Sequence, residues 1–103
     1  MLYNRSLDQF TEEYFVNHPD EVGDFITECF EEYALDGDSS SLLAQLRVIA
    51  KVKGVTKIAK EAGISRQGLQ KALSSKGNPR FDNINSIVQS MGYHLTLERN
   101  TSA

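Results

Sequence analysis

The chain has 103 residues, enough for one small domain with a modest core. Hydrophobic residues make up 40% and charged residues 24%, values that argue against wholesale disorder or a collagen-like class. No apolar run reaches the roughly 18 residues of a membrane span, and the opening MLYNRSLDQF lacks the regions of a signal peptide. The formal net charge of −3 hides an asymmetry. Residues 1–46 carry one cation, Arg5, against eleven acids, whereas residues 47–103 carry ten cations against three acids. Such a split points to a polyanion-binding half joined to an acidic segment with another task, and it equally suits two solvated faces. The single cysteine, Cys29, cannot close an internal disulfide, which agrees with a reducing, cytoplasmic location.

Most of the chain reads as helix. LDQFTEEYFVN forms a first short helix that ends near Asn17, because the residue preceding a proline resists the helical region. HPDEVGDFITECFEEYALDG then starts at Pro19, sets Asp20 and Glu21 beside the positive helix end and stops at Gly37. Its apolar Val22, Phe25, Ile26, Cys29, Phe30 and Tyr33 recur at three- and four-residue spacing, one face of a helix, and the acids fall mainly on the other. SSSLLAQLRVIAKVKG begins from a serine cap and runs through Leu42, Leu43, Leu46, Ile49 and Ala50 to a stop at Gly54, as a central core helix.

Two very short helices follow. Thr56 caps the first, which buries Ile58, Ala59 and Ala62, and Gly63 supplies the left-handed backbone of a sharp reversal. Ile64 plugs the corner. Ser65 caps the second, which turns Leu69, Ala72 and Leu73 inward and Arg66, Gln67, Gln70 and Lys71 outward. Ala59 is small because helices joined by so short a turn cross closely. Small residue, glycine four later, then an apolar residue is the pattern of a helix-turn-helix. Its outward arginine, glutamines and lysine suit base edges and phosphates of a major groove. Thr56, Lys57 and Ser65 join that candidate DNA-binding set at the corner, and Lys76, Asn78 and Arg80 join it from the turn-rich loop behind, as phosphate contacts.

Asp82 caps a last helix with the stripe Ile84, Ile87, Val88 and Met91, ended by Gly92. The tail alternates Tyr93, Leu95 and Leu97 against His94, Thr96 and Glu98, so it reads as a short strand with a buried side. A lone strand needs a partner: the N-terminal MLYNR, a second copy of the chain, or another protein. A twofold homodimer is favoured, since paired heads about 34 Å apart match the repeat of duplex DNA.

Residues 44–97 resemble the lambda-repressor-like, Xre-type helix-turn-helix proteins. The string IAKEAGISRQGLQKALSSKGNPRFDNINSIVQSMGYHLTLE, above all its ISR, KALS and GNPRFD, is similar to the addiction-module antidote family, the HigA-like antitoxins encoded beside RelE/HigB-like toxins. NHPDEV and LLAQLRVIAKVKG extend the likeness. The resemblance implies an all-α, lambda-repressor-like fold of five to six helices with a helix-turn-helix and a short C-terminal β-strand. Residues 1–39 would form an acidic helical N-terminal extension and residues 40–103 the DNA-binding domain. It also implies an antitoxin of a type II toxin–antitoxin module that represses its own operator and silences a basic toxin that cleaves messenger RNA. The chain departs from the family at Gly68, a glycine inside the recognition helix that costs roughly 1 kcal/mol relative to alanine, and at Gln70, where a larger aromatic residue is common.

Against a cationic toxin, Asp24, Glu28, Glu31 and Glu32 form the candidate binding face, with Asp20 at its edge; charge guides encounter and apolar residues carry affinity. A merely solvated acidic face is the competing reading. Cys29 sits on an apolar stripe and reads as a core residue, and His18 and His94 lack metal-ligand spacing, so no metal or other cofactor is expected. No phosphate-cradling loop or catalytic triad is present, and the chain is not expected to be an enzyme. A stand-alone Xre-type repressor without a toxin and a protein-interaction module remain as alternatives.

Overall fold

The computed structural model describes residues 7–100, and all of its regular structure there is helical. Six α-helices run in order: α1 (Leu7–Asn17), α2 (Val22–Asp36), α3 (Ser39–Lys53), α4 (Val55–Ala62), α5 (Arg66–Ala72) and α6 (Phe81–Ser90), with a single 3-10 turn over Pro19–Glu21 between the first two. No helix among the described residues is long and apolar enough to cross a membrane.

Helix α3 is the hub. It packs against α1, α2 and α4, while α5 and α6 pack on α4. Its Leu42, Leu43, Leu46, Ile49 and Ala50 are all buried, the face that the three- and four-residue spacing requires. Phe15 of α1 and Val22, Ile26 and Cys29 of α2 join them in one apolar cluster with Ile58, Ala59, Leu69, Leu73, Ile87 and Met91. The acidic segment is therefore held by its apolar stripe against the same core that carries the cationic half. Each such fully buried aliphatic side chain contributes about 1.5–3 kcal/mol of transfer free energy.

Helix ends show where local chemistry differs from the sequence reading. Gly37 does end α2 in the left-handed region, at φ 66°. The cap of α3 is Asp38 rather than a serine: its Oδ1 accepts from the Ser41 backbone N–H at 3.1 Å and its Oδ2 from the Ser41 hydroxyl at 2.8 Å. A carboxylate outcompetes a hydroxyl for the positive helix end. Gly54, at φ 104°, ends α3 and starts α4, so Thr56 is not the cap of α4. Its N–H donates to the Ala50 carbonyl and its own carbonyl accepts from Ile58. Helix α6 starts behind Arg80 without a side-chain cap, and Asp82 lies inside its first turn.

The expected C-terminal strand is absent among the described residues; Tyr93–Asn100 belongs to no ladder. Leu95 is half-buried, but Leu97 is 97% exposed. Extended backbone becomes a strand only with a neighbour to receive its N–H and C=O groups, and α1 to α6 offer none. The MLYNR segment lies outside the described residues. Tyr33 also departs from its stripe: it is 40% exposed and lines a groove with Phe30, Ser39 and Leu42.

Candidate functional site

The corner between α4 and α5 is built by backbone pairing. Gly63 takes φ 76° and ψ 26°; its N–H donates to the Lys60 carbonyl at 3.2 Å, and the Ile64 N–H donates to the Ala59 carbonyl at 3.0 Å. This is the Schellman pairing that closes a helix through a left-handed glycine. A Cβ at Gly63 would meet nothing within 4 Å, so its backbone angle alone selects glycine there. Ile64 rests half-buried on the core, and Ala59 is buried where the two helices meet.

Ser65 is extended at φ −72° and ψ 158°, and its hydroxyl accepts from the Gly68 N–H at 2.9 Å. A Cβ at Gly68 would stand 3.0 Å from that hydroxyl oxygen. Gly68 thus trades helix propensity for room around the cap, two effects of about 1 kcal/mol each.

With α5 fixed in this way, Leu69, Ala72 and Leu73 are buried and Arg66, Gln67, Gln70 and Lys71 are exposed. Arg66 folds back to α4, its Nη1 donating to the Thr56 hydroxyl at 2.6 Å. Thr56 therefore positions a guanidinium instead of capping a helix, with Lys57 exposed beside it. Lys76, Asn78 and Arg80 are exposed along the loop that leaves α5. Arg80 is not an isolated cation: its Nε lies 3.5 Å from Asp82 Oδ1 in a solvent-exposed pair. Gly77 sits tightly under this loop, where a Cβ would come within 2.4 Å of the Ala72 carbonyl oxygen.

Two cations escaped the sequence reading. Arg47 of α3 donates through Nη1 to the Leu73 carbonyl at the end of α5, and its Nη2 lies 3.5 Å from Asp8 Oδ2 of α1. It ties the acidic segment to the exposed-faced helix. Arg47 and Lys51 also share with Gln70 the lining of a cleft of about 250 Å³ between α3 and α5. A lone arginine between Leu46 and Val48 in an otherwise apolar stretch was the available signal.

On α2, Asp24, Glu28, Glu31 and Glu32 are all exposed, opposite buried Val22, Ile26 and Cys29. Leu35, one turn on, is 90% exposed within this acidic surface. Burial, followed by the charges of Glu32 and Glu28, pushes the Cys29 thiol up to about 12, so it stays a neutral core residue. His18 is occupied locally: its Nδ1 donates to the Tyr14 carbonyl at 2.7 Å and its ring stacks on Tyr14. Among the described residues no group of histidine, cysteine and carboxylate side chains is placed to hold a metal ion.

A family model described as "Probable addiction module antidote protein" matches residues 7–99. The chain is also 36% identical over 62 residues to an uncharacterized protein of Haemophilus influenzae, covering 60% of this chain and 64% of that relative. The match thus spans a little under two thirds of the relative's length. No solved structure matches the chain.

Proposed function

The chain belongs to the probable addiction module antidote family, and from that membership we propose that it is the antitoxin of a type II toxin–antitoxin module, acting in the cytoplasm as a homodimer. In this reading residues 40–103 are a lambda-repressor-like, Xre-type helix-turn-helix domain that represses the module's own operator. Residues 1–39 are an acidic extension that neutralises a RelE/HigB-like toxin. The role is non-catalytic and calls for no cofactor.

The observation that carries the reading is the two-sided character of α5, a helix with a buried aliphatic side and an unburied row of forked polar tips. Arg66 suits the paired acceptors of a guanine, and Gln67 and Gln70 suit the donor and acceptor of an adenine. Lys71 pairs with phosphate. Thr56 holds the Arg66 guanidinium, while Lys57, Ser65, Lys76, Asn78 and Arg80 contact the sugar-phosphate backbone and set the register. Two such heads on a twofold axis read half-sites one helical turn apart. The acidic face of Asp24, Glu28, Glu31 and Glu32 complements a cationic toxin, and Leu35 supplies the apolar anchor within it.

Co-expression with the product of the neighbouring gene tests this. Growth should be rescued, and the two chains should be captured together; continued arrest with no complex removes the antitoxin reading. Changing Glu28, Glu31 and Glu32 together to lysine should abolish capture. Undiminished capture moves the toxin site off α2.

A further inference from the structure

Helix α1 has two apolar sides, and the fold uses one. Phe15 is buried in the core cluster, the single contact face that holds a surface helix to its protein. Leu7, Phe10 and Tyr14 follow one another at spacings of three and four residues and form a second row. That row is turned from Phe15 by about 100°, the step between neighbouring helical residues. Leu7 is 79%, Phe10 60% and Tyr14 43% exposed. An aromatic and aliphatic row left in water along a whole helix marks an interaction surface, whereas single exposed apolar residues do not.

The row is held rigid at its end. The Tyr14 hydroxyl donates to Glu21 Oε1 at 2.7 Å, and the His18 ring lies flat on the Tyr14 ring, with centroids 4.1 Å apart and planes 14° from parallel. A partner therefore meets an aromatic anchor that loses little freedom on binding. The row also stands in a negative potential. Residues 7–21 contain Asp8, Glu12, Glu13, Asp20 and Glu21 and no lysine or arginine. The hydrogen bond to Glu21, then burial, then the charges of Glu21 and Asp20 raise the Tyr14 phenol above its ordinary 10.0.

We infer that the row of Leu7, Phe10 and Tyr14 is the surface on which a cationic protein lays an amphipathic helix, apolar side on apolar side, with its lysines and arginines reaching Asp20 and Glu21. Charge selects this occupant. A second copy of the chain would bring the same carboxylates against these, and a nucleic acid would bring phosphates, so like charges would meet in both cases. Spacings of three and four residues are those at which one helix receives another. The inference rests on the antitoxin part of the proposed function, in which this partner is the basic toxin, and it gives the toxin an extended apolar anchor on α1. On α2 a lone Leu35 stands among the acids; on α1 three large side chains act together, two of them of the aromatic type that dominates binding energy.

Surface plasmon resonance of the full chain on the immobilised product of the neighbouring gene tests it. Leu7→Ala and Phe10→Ala should each speed dissociation about tenfold, at low and high salt alike, with helical circular dichroism unchanged. Asp20→Lys should instead slow association, and that deficit should fade as salt rises. Wild-type kinetics in both alanine variants overturn the inference and leave the antitoxin reading standing. A wild type that binds nothing removes that reading, and the inference with it. Leu7→Ala should also melt and sediment as the wild type does. A lower melting temperature would show that residues 1–6 of the same chain cover the row, and a lower mass would show that a second copy does; either result overturns the inference.

Discussion

Replacing Gly77 with alanine tests how the loop carrying Lys76, Asn78 and Arg80 is fastened to α5. The added Cβ would lie 2.4 Å from the Ala72 carbonyl oxygen, 2.9 Å from that of Lys71 and 3.0 Å from the Ala72 carbonyl carbon. Side-chain carbons essentially never come within 3.0 Å of such atoms, so the shortfall is about 0.6 Å. All three neighbours are backbone at the end of α5, so no side chain can swing aside. Either the loop lifts or the last turn of α5 opens. Overpacking of this kind costs about 1–3 kcal/mol, against roughly 0.4–1 kcal/mol recovered from the stiffer unfolded chain. A net loss of about 1–2 kcal/mol lowers the melting temperature by about 4–16 °C for a domain of this size. The assay is a reversible thermal melt followed by circular dichroism, with Gly37→Ala as the comparison. Gly37 has open space around it and a φ of 66°, so it reports left-handed strain alone, about 1 kcal/mol. A Gly77→Ala variant that melts at or above the wild type would refute the idea that this loop is pressed onto α5.

Three further outcomes follow from the structure. Arg47→Ala removes a charged hydrogen bond to the Leu73 carbonyl and the link to Asp8; urea unfolding should show a loss of about 2–3 kcal/mol, nearly all from the carbonyl bond. Asp8→Ala alone should cost under about 1 kcal/mol, and a larger figure would reverse that assignment. Hydrogen bonds from the Ser41 hydroxyl and backbone N–H hold the Asp38 carboxyl below its ordinary 3.8. Its contribution to stability is therefore complete above the unfolded value and lost as pH falls through the lower folded one. Asp38→Asn keeps the cap and should flatten that part of the acid-unfolding profile, whereas an unchanged profile would show that the carboxylate is not the group involved. With its thiol at about 12 rather than 9.0, Cys29 should react with iodoacetamide at pH 8 about a thousandfold more slowly in the folded chain than in denaturant. Comparable rates in the two states would place it at the surface.

Helix positions were legible because the signals were strong and local. Gly37, Gly54 and Gly63 mark real stops, and Ser65 is a real cap. The apolar stripes of α2, α3 and α6 point inward except at Tyr33. What escaped depends on distance in space. Several residues compete for each helix start, and Asp38 prevails over the serines for α3. Thr56, in the first turn of α4, receives the guanidinium of Arg66, ten residues on, and Arg47 finds its partners 26 residues ahead and 39 behind. The closeness of Gly77 to α5 leaves no trace in spacing or composition. The tail alternates correctly for a strand, yet alternation says nothing about whether a neighbour is present to pair with it.

The central claim is that the exposed row on α5 reads duplex DNA. Fluorescence anisotropy with the duplex preceding the chain's own coding region, over a salt series, tests it most directly. The wild type should bind with log affinity falling steeply against log salt, about 0.9 per phosphate contacted. Gln67→Ala should lose about 1–3 kcal/mol of discrimination at one base pair, while Lys76→Ala weakens every sequence alike. Equal binding of this duplex by the wild type and both variants, or no binding by any of them, would contradict the account.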